Sequence, residues 1–124
     1  MSANLLPGDT GAKAEERAQL FLEQQGLRLV ERNYRCRRGE IDLIMREGET
    51  LVFVEVRYRK RTGFGSPAES VTMAKQQRII TTAMHFLQSK PGRQLPPCRF
   101  DVLAIVGKET QNIDWIKDAF QAYF

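Results

Sequence analysis

The fold is decided by GEIDLIMREGETLVFVEVRYR, residues 39–59. Two apolar runs, EIDLIMR (40–46) and LVFVEVRY (51–58), are separated by the polar turn sequence EGET. Short runs rich in β-branched and aromatic residues are typical of strands, and a polar break containing glycine predicts a β-hairpin between them. This is the strongest hairpin signal in the chain, and the other elements are placed around it.

The segments on either side of the hairpin complete an α/β domain. Apolar residues at helical spacing predict one helix before it and one after it, and further apolar runs predict a strand on each side. The order is helix, three strands, helix, strand, then a short extended piece and a C-terminal helix, which predicts a mixed central sheet flanked by helices. Outside the hairpin, the predicted helices are 11–25 and 66–87, and the predicted strands are 27–34 and 99–106.

The second helix has a marked start. Ser66 is its predicted N-cap, Pro67 its first residue and Glu69 the partner three positions after the cap, which is a capping box with a proline start. Residues 1–10 are expected to form a flexible tail, and residues 11–124 a single domain.

Composition limits the classes of function. The chain has 124 residues, which suits one core and one domain. No apolar run reaches the roughly 20 residues that a membrane helix needs, and the N-terminus lacks the basic and apolar regions of a signal peptide, so we expect a cytoplasmic protein. Cys36 and Cys98 lack metal-ligand spacing and fit reduced thiols. A single histidine, His85, is too few for a histidine-rich metal site.

The basic residues are concentrated beside acidic ones. The formal net charge is +4, and the sequence pI is about 9.3. Clustered positive charge favours a nucleic-acid partner, because it attracts phosphates. We expect nucleic acid rather than a membrane as the partner, and a homo-oligomer stays open. The predicted nucleic-acid-binding residues are Arg32, Arg35, Arg37, Arg38, Arg59, Lys60 and Arg61.

The hairpin also brings two carboxylates together. A turn at 47–50 pairs residues whose numbers sum to 97, which places Asp42 opposite Glu55. Opposed residues point to the same face with Cβ atoms about 5 Å apart. Two carboxylates at that distance repel unless a cation lies between them, and Mg²⁺ prefers oxygen ligands. The alternative is that each acid is ion-paired with an arginine, for which Arg57 on the same face is the candidate.

A third carboxylate belongs to the first helix. On a helical wheel Glu15 lies beside Ala18 and Leu22, at the edge of the buried face, so it is able to reach the hairpin site. The alternative is an ordinary solvated helix charge.

Several short motifs resemble one bacterial family. They cover nearly the whole chain from about residue 11, and they resemble the YraN family closely. That resemblance implies a restriction-endonuclease-like fold close to that of the archaeal Holliday-junction resolvases. The motifs are AE (14–15), GEIDLI (39–44), FVEVRYR (53–59), FGSP (64–67), Lys75 and RFDV (99–102).

The resemblance also implies roles for the acidic residues. Members of the superfamily bind a divalent metal with one acid and then a second acid followed two residues later by a lysine. Asp42 matches the first acid and Glu55 the second. The backbone carbonyl of Val56 is implied as a further ligand of Mg²⁺ or Mn²⁺. Glu15 matches the first-helix glutamate of the resolvase-like branch.

The chain departs from the pattern at the lysine position, which Arg57 occupies. A guanidinium stabilises phosphate charge but stays protonated, so it cannot act as a base. Lys75 is the natural substitute, and the alternative for it is a solvated helix lysine.

Three functions follow as hypotheses. The first is a divalent-metal-dependent nuclease that acts on DNA, with branched or structured DNA among its substrates. The second is a nucleic-acid-binding or adaptor domain that kept the fold and lost efficient cleavage, which Arg57 favours. The third is a protein-interaction module.

Asp101, in RFDV, has two possible roles. It either positions the metal-binding residues without contacting the metal itself, or it pairs with Arg99.

Overall fold

A five-stranded sheet with one helix on each face forms the body of the protein in a computed structural model. The structure describes residues 7–59, 71–90, 92, 95–107 and 112–122, with the backbone alone for 7–12. Its elements are α1 (Pro7–Gln24), β1 (Arg28–Cys36), β2 (Gly39–Glu47), β3 (Thr50–Arg59), α2 (Met73–Ser89), β4 (Cys98–Val106) and β5 (Ile113–Phe120).

The strands lie in chain order across the sheet, β1-β2-β3-β4-β5. All neighbours are antiparallel except β3 and β4, which run parallel. A parallel pair requires a crossover, and α2 lies on the connection between these two strands. This mixed sheet between helices is consistent with the predicted restriction-endonuclease-like fold.

Alternation along the central strands gives each face of the sheet its own core. Phe53 and Phe100 belong to the core on the α2 side, with Ile79 and Phe86 from the helix. The core on the α1 side is built from residues of the helix, the hairpin and β4: Ala14, Ala18, Leu22, Leu43, Met45, Val52, Val54, Leu103 and Ile105. The apolar hairpin predicted from the sequence is therefore buried on both faces, as central strands of α/β domains are.

The hairpin has the predicted register. Its pairs run from Glu47–Thr50 to Leu43–Val54, and in each pair the residue numbers sum to 97. The turn itself is tighter than the predicted four residues, with Gly48 at a φ of 61°, a left-handed conformation that glycine adopts without strain.

The predicted C-terminal helix is wrong, because residues 113–120 form the edge strand β5. The pairing of β4 with β5 shifts between Phe100 and Val102, and Asp118 has a φ of 54° there. Such a bulge displaces the alternation by one residue. Apolar residues before and after it then recur at three- and four-residue intervals, which is the spacing of a helix.

The helix boundaries also differ from those predicted. Helix α1 begins at Pro7, inside the segment expected to be a tail. Helix α2 begins at Met73, and its N-cap is Thr72, whose side chain accepts a hydrogen bond from the Lys75 N–H. The predicted cap at Ser66 lies outside the residues that the structure describes. No helix in the described part of the chain is long and apolar enough to cross a membrane.

Candidate functional site

The regular pairing of the hairpin ends where its acidic residues begin. Leu43–Val54 is the last pair of the ladder on that side. Beyond it, the backbone N–H of Val56 donates a hydrogen bond to Asp42 Oδ2 at 2.8 Å. The carboxylate of Asp42 therefore takes a backbone donor of the neighbouring strand, and it is held against β3 next to Glu55.

Glu55 is buried, with 5% of its side chain exposed. Its neighbours on the same face, Leu51 and Phe53, belong to the core under α2. One of its oxygens, Oε2, lies 3.3 Å from Arg57 Nη1 and 3.2 Å from Lys75 Nζ. The alternative that Arg57 is an ion-pair partner of the acids is thus correct for Glu55, and Lys75 is a second partner.

Asp42 is in a different electrostatic position. Burial, followed by the negative charge of Glu55, raises the pKa of Asp42 to about 8, against the lowering effect of the Val56 hydrogen bond. Weaker contributions in the same direction come from Glu15 and Glu40. A carboxylate so placed is costly to ionise unless a cation approaches it.

The predicted first-helix glutamate lies near this pair. Glu15 is half-buried on α1, and its charge acts on Asp42 from the face opposite α2. Lys75 reaches Glu55 from α2, so it is ion-paired and not an ordinary solvated helix lysine. Both helices therefore bring a charged side chain to the end of the hairpin where β2 and β3 separate.

The oxygens at this position fit a hard divalent cation incompletely. Asp42 and Glu55 supply two carboxylates, and the Val56 carbonyl is a further candidate oxygen. Among the residues that the structure describes, no group of three histidine, cysteine, aspartate or glutamate side chains has the arrangement of a metal centre. Mg²⁺ is usually held by one or two carboxylates together with waters and substrate phosphates. Two carboxylates and a backbone carbonyl are oxygen donors of the kind that Mg²⁺ and Mn²⁺ take, but the described side chains do not by themselves form a metal centre.

The predicted basic residues fall into different environments. Arg35, Arg37 and Arg38 are exposed around the β1–β2 turn, and Arg35 Nε lies 3.8 Å from Glu40. In the described part of the chain, Arg32 has a buried Nε with no hydrogen-bond partner. Arg59 ends β3 and is half-buried. Lys60 and Arg61 lie outside the described residues.

Arg78 is a cation near the candidate site that the sequence did not predict. Arg78, on α2, lines a cavity together with Lys75 and the three arginines of the β1–β2 turn. Its position one helical turn after Lys75 is the signal that would have found it, since residues three apart lie on the same helix surface.

Asp101 belongs to a separate cluster. Its carboxylate accepts hydrogen bonds from Arg99 Nε at 3.0 Å, Trp115 Nε1 at 2.9 Å and the backbone N–H of Asp118 at 2.9 Å. Arg99 also bonds to Glu47. Of the two roles that the sequence left open, pairing with Arg99 is therefore correct, and the cluster fixes the bulge of β5.

Fold and sequence together identify the class of protein. The mixed sheet with one helix on each face is a restriction-endonuclease-like α/β domain, whose hairpin carries a pair of acids at its open end. The chain belongs to the uncharacterised protein family UPF0102. The sequence model of that family matches residues 14–105. This confirms the resemblance to YraN.

Relatives of the same name extend over nearly the whole chain. A UPF0102 protein of Nitrosococcus oceani is 53% identical over 114 residues, covering 91% of this chain and 92% of the relative. A UPF0102 protein of Nitrosomonas europaea is 54% identical over 113 residues, covering 91% and 94%. A UPF0102 protein of Hahella chejuensis is 52% identical over 115 residues, covering 93% and 92%.

Proposed function

We propose that the chain is a divalent-metal-dependent nuclease that hydrolyses phosphodiester bonds in DNA, with branched or structured DNA among its substrates. The observation that carries this proposal is the placement of Asp42, whose pKa is raised to about 8 by burial and by the charge of Glu55. A fold selected for stability alone gains nothing from a partly buried Asp42 carboxylate that lies beside Glu55 and makes no ion pair with a described cation.

Asp42, Glu55 and the Val56 carbonyl are the groups that would hold Mg²⁺ or Mn²⁺. The bound ion would supply a Lewis acid and would favour deprotonation of water at neutral pH. Its positive charge would also relieve the repulsion between the two carboxylates, so binding is coupled to the ionisation of Asp42.

Two cations of the chain complement these acids. Arg57 has a permanent positive charge that is able to stabilise charge developing on a phosphate. Lys75 brings a primary amine within 3.2 Å of Glu55 Oε2. This amine is the chemical group that Arg57 lacks and that the superfamily pattern has at that position. We therefore assign phosphate stabilisation to Arg57 and the orienting role of the missing lysine to Lys75.

The exposed arginines of the β1–β2 turn support DNA as the substrate. Positive charges at a surface bind the phosphate backbone without reading its sequence. Glu15, whose charge acts on Asp42 from the α1 side, would orient groups at the same position.

A second candidate function is binding of nucleic acid without cleavage. The observation that favours it is Arg57 at the lysine position, together with its ion pair to Glu55. In that case Arg57 and Lys75 serve only to neutralise Glu55.

Cleavage assays with a matched pair of variants test the proposal. Supercoiled, single-stranded, flapped and four-way DNA are incubated with the purified chain in Mg²⁺ and in Mn²⁺. Asp42→Asn removes the ionisable group and keeps the shape, and we expect about a hundredfold loss of turnover. Asp114→Asn makes the same chemical change at an exposed position of β5, and it should cleave as the parent does.

The result separates the two candidate functions. Cleavage that is equal in the parent and in Asp42→Asn comes from a contaminant and contradicts the nuclease. DNA binding without metal-dependent cleavage by the parent supports the second candidate. A chain that neither binds nor cleaves any of the four DNA forms contradicts both.

A further inference from the structure

A cavity of about 380 Å³ lies between the β1–β2 turn and the first half of α2. It has apolar contributions from Ile79 and Cys36, and charged side chains make up most of the remaining wall. Five of these are cations and one is a carboxylate: Arg35, Arg37, Arg38, Lys75, Arg78 and Glu40.

Most of this positive charge is not neutralised by the described part of the chain. Arg35 faces Glu40 at a distance of 3.8 Å, and Lys75 pairs with Glu55 at 3.2 Å. No ion pair to a described carboxylate is made by Arg37, Arg38 or Arg78, all of which are exposed. Cations gathered around one cavity repel each other, so the cavity is electrostatically suited to an anion.

The concave shape depends on Gly39. A Cβ atom at this position would lie 3.1 Å from Thr82 Oγ1 and 3.5 Å from Arg78 Cβ. The missing side chain lets the β1–β2 turn pack directly against α2. The arginines of the turn and the two cations of α2, Lys75 and Arg78, therefore face a common space instead of lying on a flat surface.

We propose that this cavity binds the terminal phosphate of a nucleic-acid strand, which is a phosphate monoester; the identity of the strand rests on the proposed function. A phosphate monoester has a charge of about −1.5 to −2 at neutral pH and three acceptor oxygens. A phosphodiester inside a strand has a single negative charge. Several cations, contributed by both the turn and the helix, match the charge of the monoester better than that of the diester. Arginine also binds phosphate with two parallel hydrogen bonds.

Lys75 connects the cavity to the acidic pair. Its side chain lines the cavity and also contacts Glu55. A strand end bound in the cavity would therefore be separated from Glu55, and from Asp42 beside it, only by the side chain of Lys75. It follows that the chain prefers DNA with phosphorylated strand ends near the site, such as flaps and nicks, over closed duplex.

Binding of end-labelled oligonucleotides tests this proposal without any cleavage. Single strands of one sequence, with a 5′-phosphate, a 3′-phosphate or hydroxyl groups at both ends, are titrated with the full chain in EDTA. We expect at least one of the phosphorylated strands to bind about tenfold more tightly than the hydroxyl strand, the gain of one charge-assisted contact.

Two double variants locate the effect. Arg38→Ala with Arg78→Ala should remove the preference for the phosphorylated end. Arg28→Ala with Arg46→Ala removes the same charge from exposed arginines paired across the other end of β1 and β2, and it should keep the preference. The proposal is overturned if phosphate and hydroxyl ends bind equally, or if the two double variants lose the preference equally.

Inorganic phosphate distinguishes a strand end from a free anion. Its binding is followed through the amide NMR signals of Arg38 and Gly39. We expect millimolar phosphate to shift these signals and to compete with the phosphorylated strand. If inorganic phosphate binds as tightly as the phosphorylated strand, the cavity is a free-anion site and the strand-end proposal is wrong. Because all these measurements exclude metal, their failure leaves the cleavage test of Asp42→Asn unaffected, and a failed cleavage test leaves them unaffected.

Discussion

Asp42 and Asp101 are two aspartates of the same sheet, and their surroundings differ in nearly every respect. Asp101 is completely buried. Arg99 neutralises its charge, and Trp115 and the backbone of Asp118 donate further hydrogen bonds. Each oxygen has donors, so ionised Asp101 is well accommodated and ties the edge strand to the sheet.

Asp42 is half-buried, and its nearest charged influences are mostly negative. In the described part of the chain, the hydrogen bond to its carboxylate comes from a single backbone N–H. The nearby cations, Arg57 and Lys75, form ion pairs with Glu55. The ionised form of Asp42 is therefore disfavoured, whereas both oxygens of Asp101 have hydrogen-bond donors.

The difference separates an acid that stabilises the fold from one that is tolerated by it. A buried carboxylate with a full set of donors is explained by structure alone. A carboxylate whose charge is opposed by its surroundings requires another explanation, which here is the proposed binding of a cation and a phosphate. Substitutions that change both positions in the same way provide direct tests of this contrast.

The largest effect is expected for Asp101→Asn. The amide leaves Arg99 partly unpaired in a buried place and directs N–H groups at other donors. Breaking a buried ion pair in this way is strongly destabilising, and we expect a loss of about 3 kcal/mol. Urea unfolding at neutral pH measures it, with Asp114→Asn as the exposed control. A loss below about 1 kcal/mol would mean that the cluster is not a stabilising one.

The same chemical change at Asp42 should have the opposite sign. The pKa of Asp42 rises from 3.8 to about 8 on folding. Below pH 3.8 the carboxyl is protonated in both states and contributes no difference. At higher pH the unfolded chain releases the proton while the folded chain retains it, so this group lowers stability progressively up to about pH 8.

Asp42→Asn cannot ionise and should therefore be more stable than the parent at pH 8. The difference should shrink toward pH 4. Unfolding curves of both proteins at several pH values, in metal-free buffer, measure it. If the variant is less stable than the parent at pH 8, the ionised carboxylate is favoured by its surroundings, and the contrast with Asp101 disappears.

Sequence information was sufficient for the central part of the fold because its signals are local. The apolar runs of residues 40–46 and 51–58 and the turn between them determine the hairpin register, which the structure reproduces. That register was enough to predict that Asp42 and Glu55 would be neighbours. It did not predict that regular pairing ends at Leu43–Val54, beyond which the Asp42 side chain accepts the backbone N–H of Val56.

Strand β5 shows what local patterns miss. Its bulge at Asp118 is stabilised by Asp101, which lies 17 residues earlier in the chain. The apolar spacing after Ile113 imitates a helix only because the bulge shifts the alternation. No local propensity of this segment records the contact with Asp101, so the sequence favoured a helix.

The cationic partners of the site were only partly predictable for a similar reason. Arg57 lies two residues from Glu55 on the same strand, so their contact follows from alternation. Lys75 and Arg78 reach the site only through the position of α2 on the sheet. The sequence pattern named Lys75 as the substitute for the missing lysine but could not determine which acid its side chain would contact.

The smallest stability effect is expected for Arg57→Lys. This variant is informative when its stability is compared with that of Arg99→Lys. Arg57 is one-third exposed, and Lys75 remains on the same oxygen of Glu55, so stability should change by less than about 1 kcal/mol. Arg99 contacts Asp101 through both Nε and Nη2, a geometry that lysine cannot reproduce. Arg99→Lys should therefore be clearly more destabilising in the same urea assay.

Substitutions of Arg57 should change the rate of DNA cleavage more than they change the stability of the fold. If Arg57 stabilises phosphate charge, Arg57→Lys keeps a cation and should retain cleavage within about tenfold of the parent, while Arg57→Ala should lose more. Metal-dependent stabilisation should persist in both variants, because guanidinium is not a metal ligand. Under the binding-only alternative, Arg57→Ala weakens DNA binding and there is no turnover to lose. Cleavage by Arg57→Ala at the rate of the parent would leave Arg57 only as a neutralising partner of Glu55, and the acidic site would then resemble the Asp101 cluster more closely than we propose.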